Sequence, residues 1–581
     1  MTVYASPETR IWDYQVVTDF DSSYIDSNVD LAVDIRSFGA AMDRYELVAE
    51  ISRGGRTVAT MDRKVISVPA GGSDTVHLRT KVASPLKWSA ETPDLYDLNM
   101  TLKDASGRTV DRMSKKMGFK KTEIRDGVFH LNGRPVKVNA QCFHMQHPLL
   151  GHAMDEATIR KDMEILKQFG FNAFWTITAD DEVVASGTLE LNLGPLQTKA
   201  FRIPYSKPAI QAGKEYRLNI STTLAEDEIW AGEGHEVAWE QFELSEWNIP
   251  AEVASKPSGN VSLERTDGRI IARGAGFAYT FDAVSGELRG MLVDGQEMLA
   301  EPLGLNVWRA PISNETDDWN AFSSRVAISG CKPGYGVVGH SIALASIYYS
   351  SGLDNVGFKP MAVNAREIDG TVFVDVRELA LFGVQTEQQL DTYVFGRTGV
   401  GMESVYSYRI DADGTITVNH MINPQGDMPV WLPRVGVCLS LDGSLNNVEW
   451  YGRGPQSSYP DRRSGYRMGI YKTTVEDMFE PYLMPQDYGL RMDNRWVRFT
   501  NLNGKGLQFS MNEPFSFNAY PFTTENLTRS VYQYQLVRSG NITLNLDYAT
   551  SGVGCTARGI FDSYRAYPTG YNRTIVIKPI R

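Results

Sequence analysis

Six carboxylates fall within forty residues of one another late in the chain, Glu449, Asp461, Glu476, Asp477, Glu480 and Asp487, and a second group, Asp155, Glu156, Asp162 and Glu164, lies much earlier. Two carboxyl groups held about 5 to 5.5 Å apart can serve as acid/base and nucleophile in breaking a glycosidic bond. The early group does not suit that role, because helix capping and a solvated helix face account for it. His144 and His147 are three apart and lack an acidic third ligand beside them, so no metal is expected there. The late carboxylates are interleaved with aromatic rings and guanidinium groups. Trp450, Tyr451, Tyr459, Tyr482 and Trp496 offer faces for a pyranose ring, and Arg453, Asp461, Arg462 and Arg491 offer hydrogen bonds to its hydroxyls. The same residue types also serve packing and turning at strand ends, and both readings stand at this point.

The elements that must position these groups are almost all strands. From about residue 10 to 123 apolar and polar residues alternate, as in Val29-Asp30-Leu31-Ala32-Val33-Asp34-Ile35, with turns at Gly54-Gly55 and Ser106-Gly107, which predicts a small antiparallel sandwich. Val136 to Ala140 reads as a short buried strand. Asp155 to Phe169 reads as an amphipathic helix, with Asp155 as N-cap, Ile159, Met163, Leu166 and Phe169 at helical spacing, and Gly170 as its stop. Phe171 to Trp175 reads as a second strand, completing one β-α-β unit. Strand patterning returns after Asp180, a Pro/Ser/Gly stretch from Pro250 to Asn260 reads as a linker, and Val261 to Arg581 reads as one large all-β domain. The fold class predicted is therefore mainly β, with boundaries at 1–124, 125–178, 179–250 and 251–581.

Composition narrows the function classes. A formal net charge of -12 disfavours nonspecific binding to nucleic acid or anionic lipid. Cys142, Cys331, Cys438 and Cys555 are scattered without zinc spacing and read as mostly buried free thiols. The first ten residues lack an apolar signal region and no stretch is long enough for a membrane helix, from which a cytoplasmic protein with no membrane or nucleic-acid partner is expected.

Several literal motifs then point in one direction. Lys87-Trp88-Ser89-Ala90-Glu91-Thr92-Pro93-Asp94-Leu95-Tyr96, Gly118-Phe119-Lys120, Asn132-Gly133-Arg134-Pro135, Ala231-Gly232-Glu233-Gly234-His235 and Trp308-Arg309-Ala310-Pro311 are followed by Trp450-Tyr451-Gly452-Arg453-Gly454-Pro455-Gln456-Ser457-Ser458-Tyr459-Pro460-Asp461-Arg462 and Pro481-Tyr482-Leu483-Met484-Pro485-Gln486. In this order they resemble the large bacterial β-galactosidases of glycoside hydrolase family 2. The resemblance implies two immunoglobulin-like sandwiches and a large C-terminal sandwich of galactose-mutarotase-like type, without the N-terminal jelly-roll domain and with only a remnant of the catalytic barrel. A complete barrel takes about 250 residues, and Arg125 to Thr178 leaves room for one β-α-β unit.

The resemblance also implies what is missing. The family's two catalytic carboxylate motifs lie in later barrel strands and have no counterpart here, so the catalytic residues are unknown. Cys142, Phe143 and Met145 stand where the family has Asn, Arg and Glu. Its magnesium-binding carboxylates belong mostly to the absent barrel, so no cofactor is expected. Gly552-Val553-Gly554-Cys555 is similar to the loop by which the last domain reaches substrate in relatives, and Thr556 to Ile560 lacks the expected Trp or Cys. Three readings follow: a carbohydrate-binding or assembly protein without the two-glutamate site; an active glycosidase, acting on terminal β-galactosides or related glycosides through a barrel-bearing partner subunit or a relocated carboxylate pair; or the product of an internally deleted gene. A galactoside or other saccharide is the expected ligand, and the open barrel unit gives a reason for a homo-oligomer.

Overall fold

The computed structural model describes residues 5–90, 92–137, 155–157, 159–160, 173–188, 200–206, 208–211, 213–224, 227, 231–245, 259–316, 325–327, 336–338, 345, 348–349, 351–383, 400–554 and 560–581. The chain divides into two compact units, residues 1–144 and 145–581. Among the described residues no helix is long and apolar enough to cross a membrane.

In the first unit the alternating sequences become strands with one face buried, because successive side chains on a strand point to opposite sides. Ser27–Ser37 buries Val29, Leu31, Val33 and Ile35 and pairs antiparallel with Thr9–Phe20 and Ser73–Val82. A second sheet runs Arg56–Thr60, Met42–Arg53, Tyr96–Lys103, Thr109–Met117, with Lys64–Val68 also on Met42–Arg53. The inner faces share one core that includes Leu47, Ile51, Leu98, Met100 and Phe119. Thr122–Arg125, Val128–Leu131 and Arg134–Pro135 form a small separate sheet.

In the second unit the segment read as a barrel remnant is described only in part. Ile159 N–H donates to the Asp155 carbonyl at 3.2 Å, the opening turn of the expected helix, and the rest of that helix lies outside the described residues. The strand expected at Phe171 to Trp175 to complete the β-α-β unit is described as Ala173–Ala179, and its described partners are antiparallel: Glu182–Thr188 on one side and Tyr216–Thr223 on the other, followed by Glu236–Glu243. Among the described residues this strand is therefore paired within the following sheet. Its period of two buries Trp175, Ile177 and Ala179 against Tyr216 and Leu218.

The large sandwich follows. A five-stranded meander runs from Ser262–Thr266 to Gln296–Glu297. A sheet with twelve strands among the described residues has the order Leu299–Asn306, Arg434–Leu441, Ile542–Thr550, Gly506–Tyr520, Tyr571–Ile580, Ile416–Gln425, Gly401–Ile410, Thr371–Phe382, Val356–Ile368. From Gly506–Tyr520 a branch leads through Arg491–Thr500 to Asn447–Gly454 and Arg467–Thr474. Gly506–Tyr520 makes this branching possible by changing partners along its length. Residues 506–511 pair with Tyr571–Ile580, residues 516–520 with Ile542–Thr550, and the exposed Asn512 to Pro514 lie between them. A single apolar core spans the meander and the sheet, including Tyr279, Phe281, Val374, Val418, Trp450, Phe499 and Phe517.

Candidate functional site

The sequence motifs that stood apart along the chain meet at one end of this sandwich, and hydrogen bonds between buried groups hold them together. Trp308-Arg309-Ala310-Pro311 leaves the strand Leu299–Asn306 and turns into Ser313–Thr316. The Arg309 guanidinium, 1% exposed, donates to Glu315 Oε1 at 2.7 Å and to the carbonyls of Ser551 at 2.7 Å and Gly552 at 3.1 Å. Asn314 Nδ2 donates to the Val553 carbonyl at 2.7 Å. From the opposite side Asp461 accepts from Val553 N–H at 2.9 Å and Gly554 N–H at 2.6 Å. The loop 551–554 is thus clamped through its carbonyls by one segment and through its amides by another. Gly552 is required here by close approach, since a Cβ on it would lie 2.6 Å from the Asp461 carboxyl carbon.

The remaining motifs close the cluster. Ser313 N–H donates to Gln486 Oε1 at 2.7 Å, and Asp487 N–H donates to the Ala310 carbonyl at 3.1 Å. Asp487 is 2% exposed and accepts from Arg434 at 2.9 Å, Tyr459 at 3.1 Å, Asn518 at 3.2 Å and Tyr520 at 2.5 Å. Arg434, fully buried, also lies 3.6 Å from Asp547, which accepts from Thr550 at 2.9 Å. Burial pushes the Asp547 carboxyl up to about 6, with Arg434 offsetting part of the rise. An uncompensated buried charge costs several kcal/mol, so this Arg434–Asp487–Asp547 arrangement is the electrostatic anchor under the loops.

The predicted saccharide residues separate into two groups. Trp450, Tyr451, Tyr459 and Arg491 are buried. Trp450 lies against Tyr471 and Phe517 with the Arg491 guanidinium 5.3 Å from its ring, Tyr459 supports Asp487, and burial pushes Arg491 down to about 10. Tyr451 donates to Glu215 at 2.7 Å. Arg453 is half-buried and paired with Asp493 at 2.5 Å, and Trp496 is half-buried beside Arg498. Asp461, Arg462 and Tyr482 remain at the surface of the loop cluster: Asp461 half-buried on the loop, Arg462 exposed and donating to Ser457 at 2.6 Å, Tyr482 half-buried and donating to Glu480 at 2.9 Å.

Each of the six late carboxylates has another partner. Glu449 pairs with Lys472 and Arg498, Glu476 with Arg538, and Asp477 accepts from Thr474, while Asp461, Glu480 and Asp487 are engaged as above. His144 and His147 lie outside the described residues, as do Cys142, Cys331, Cys555, Asp162 and Glu164; Cys438 is a half-buried free thiol. Among the described residues no three His, Cys, Asp or Glu side chains are gathered as a metal site.

Two groups escaped the sequence reading. Glu215, fully buried, accepts from Arg217 at 2.8 Å, Arg495 at 2.5 Å and Tyr451, tying the Tyr216–Thr223 sheet to the large sandwich. Burial alone would raise its carboxyl, but Arg495 and Arg217 together hold it below the usual glutamate value. The partners are 280 residues apart, which no local pattern reveals. Glu378 does carry a sequence signal: it occupies an inward position in the stripe Val372, Val374, Val376, Glu378, Ala380.

This large antiparallel sandwich with its clamped end loops, and the smaller sandwiches before it, are matched by models of glycoside hydrolase family 2 and of β-galactosidases, which place the protein in that family. The chain belongs to the family described as "Beta galactosidase small chain", whose model matches residues 273–577. Further models match residues 9–120 (glycosyl hydrolases family 2), 122–178 (the TIM barrel domain of that family) and 161–245 (beta-galactosidase, domain 4). A beta-galactosidase from Priestia megaterium is 25% identical over 71% of this chain and 36% of its own length, and one from Pseudoalteromonas haloplanktis 26% identical over 65% and 33%. The chain thus spans about a third of the length of these curated relatives. Among solved structures, a beta-glucuronidase from Bacteroides uniformis aligns over 28% of this chain and 20% of its own at 23% identity with a TM-score of 0.26, too low to bear on the fold.

Proposed function

We propose that the chain is a carbohydrate-binding component of the β-galactosidase lineage, in which the end loops of the large sandwich engage a galactoside and the two-glutamate hydrolytic site is not supplied by the chain itself. The observation that carries this reading is the double clamp on the loop 551–554, by Arg309 and Asn314 on its carbonyls and Asp461 on its amides. Loop backbone held on both sides is preorganised, which lowers the ordering cost of binding. Arg462, next in sequence to Asp461, lies near Glu480 and Tyr482, and these carry the hydrogen-bonding groups and ring that a sugar uses. Calorimetric titration with galactose and lactose tests it. Binding that weakens at least about tenfold in Asp461→Ala, about 1.4 kcal/mol, is expected. Hydrolysis of a chromogenic β-galactoside by the chain alone overturns it.

The name of the matched family, a small chain, favours a second reading in which hydrolysis is completed by a barrel-bearing partner subunit. In that case a chromogenic galactoside is cleaved only when both chains are mixed, and rates fall with Asp461→Ala.

A further inference from the structure

A cavity of about 420 Å³ opens elsewhere on the large sandwich, between the strands Thr371–Phe382 and Gly401–Ile410 on one side and Leu299–Asn306 and Arg434–Leu441 on the other. The turn Ser285 to Glu287 forms part of its rim. Gly286, at φ +78°, is pressed so closely onto Val376 that a Cβ would sit 2.5 Å from its methyl. The lining holds three carboxylates, Glu287, Glu301 and Glu378, and no basic side chain among the described residues. Glu287 is paired with Arg289, whereas Glu378, 7% exposed, has only hydroxyls and the Glu287 charge facing it.

A second feature accompanies this acidity. Tyr406 lines the same cavity, is 3% exposed, and its Oη faces the Glu378 carboxyl and Ser404 without a hydrogen bond of good geometry to any group among the described residues. A buried hydroxyl left unpaired costs free energy that a bound polar group would recover. Phe358 and Tyr408 add ring faces, and Asn306 and Thr543 add an amide and a hydroxyl. A buried carboxyl without a cation, aromatic rings and a hydroxyl lacking a well-formed hydrogen bond together match a ligand with an ammonium group, an apolar ring face and hydroxyls.

We propose that this cavity binds an amino sugar of monosaccharide size, with its ammonium against Glu378 and its ring hydroxyls on Tyr406, Asn306 and Thr543. The ammonium follows from the cavity alone; the sugar ring rests on the carbohydrate reading above. Burial and the neighbouring Glu287 push the Glu378 carboxyl up to about 7, so an ammonium beside it ionises the carboxyl and the proton leaves to buffer. Ser404, Tyr406 and Tyr408 are the other groups facing Glu378, and behind Ser404 lies His420, itself held by Tyr548.

Titration calorimetry of the full chain with D-galactosamine and D-galactose near pH 6.5 tests the proposal. Galactosamine should bind at least about tenfold more tightly than galactose, with proton release read from buffers of different ionisation enthalpy. Glu378→Gln keeps the volume and the fold, checked by its melting temperature, and should abolish both the preference and the proton release, whereas Asp461→Ala, which weakens galactose at the loops, should leave the galactosamine affinity of the cavity and its proton release intact. Equal affinities, or a preference that survives Glu378→Gln, overturn the proposal. Galactose binding that depends on Asp461 with no galactosamine preference overturns this inference alone, and the converse pattern overturns the loop reading alone.

Discussion

Replacing Glu378 by glutamine perturbs stability in a way whose sign and size follow from its surroundings. The side chain sits at an inward position of Thr371–Phe382, opposite Ser404 on the neighbouring strand. Burial first, and then the Glu287 charge, push its carboxyl from an ordinary 4.5 up to about 7. Below pH 4.5 the folded and unfolded chains both hold the proton and the residue has no pH-dependent effect. Between 4.5 and 7 the folded chain retains a proton that the unfolded chain releases, so raising the pH favours unfolding. At about 1.36 kcal/mol per pH decade the cost accumulates to roughly 3 kcal/mol above pH 7. Glutamine does not titrate, so the variant should gain about 3 kcal/mol over the native chain between pH 4.5 and 8, close to 5 °C in melting temperature for a unit of some 300 residues. His420, pushed down to about 3 by burial, loses stability as pH falls from its ordinary 6.5, but it is present in both proteins and cancels in the difference. Calorimetric melts of both proteins across that range give the curve directly. A difference that stays flat refutes the reasoning, because the carboxyl then ionises as a solvated one does; a difference that shrinks with rising pH places a cation beside it.

Three other substitutions probe the anchors. Asp461→Ala should cost about 1–3 kcal/mol by leaving two amides without an acceptor, and hydrogen exchange at Val553 and Gly554 should speed while strand amides in the sheet are unchanged. Arg434→Met leaves Asp487 and Asp547 buried without their cation and should cost about 3–5 kcal/mol by urea unfolding at pH 8. That cost should fall below pH 6, where Asp547, already pushed up to about 6, takes a proton and no longer needs the guanidinium. Glu215→Ala strands Arg217 and Arg495 and should likewise cost about 3–5 kcal/mol, and limited proteolysis should then cut within residues 173–245 before the large sandwich is lost.

Much of the strand architecture was legible because burial on a sheet imposes a period of two. Ser27–Ser37 and Thr371–Phe382 show it residue by residue. The segment around Ala173–Ala179 was harder: its length and pattern suit either a barrel strand or a sandwich strand, and the choice was made by Tyr216–Thr223, which pairs with it from some forty residues away. The loop cluster was half legible. Its motifs could be recognised one by one, but that Asp461 meets Val553 and Arg309 meets Ser551 depends on strand order, which local sequence does not encode.

The late aromatic residues show the same division. Their types suit a sugar face and a sandwich core equally well, since a ring offers the same apolar surface to both. The structure encloses Trp450, Tyr451 and Tyr459 and leaves Arg462 and Tyr482 at the surface. By itself, the sequence determined the lineage, the sandwich class and the shortness of the barrel segment, because these rest on local periodicity, motif order and chain length. Only the tertiary structure decided which polar groups are buried together, and so where charge is balanced at Arg434 and where it is left unbalanced at Glu378. Electrostatic environment is set by neighbours in space, and here those neighbours come from strands far apart in the chain.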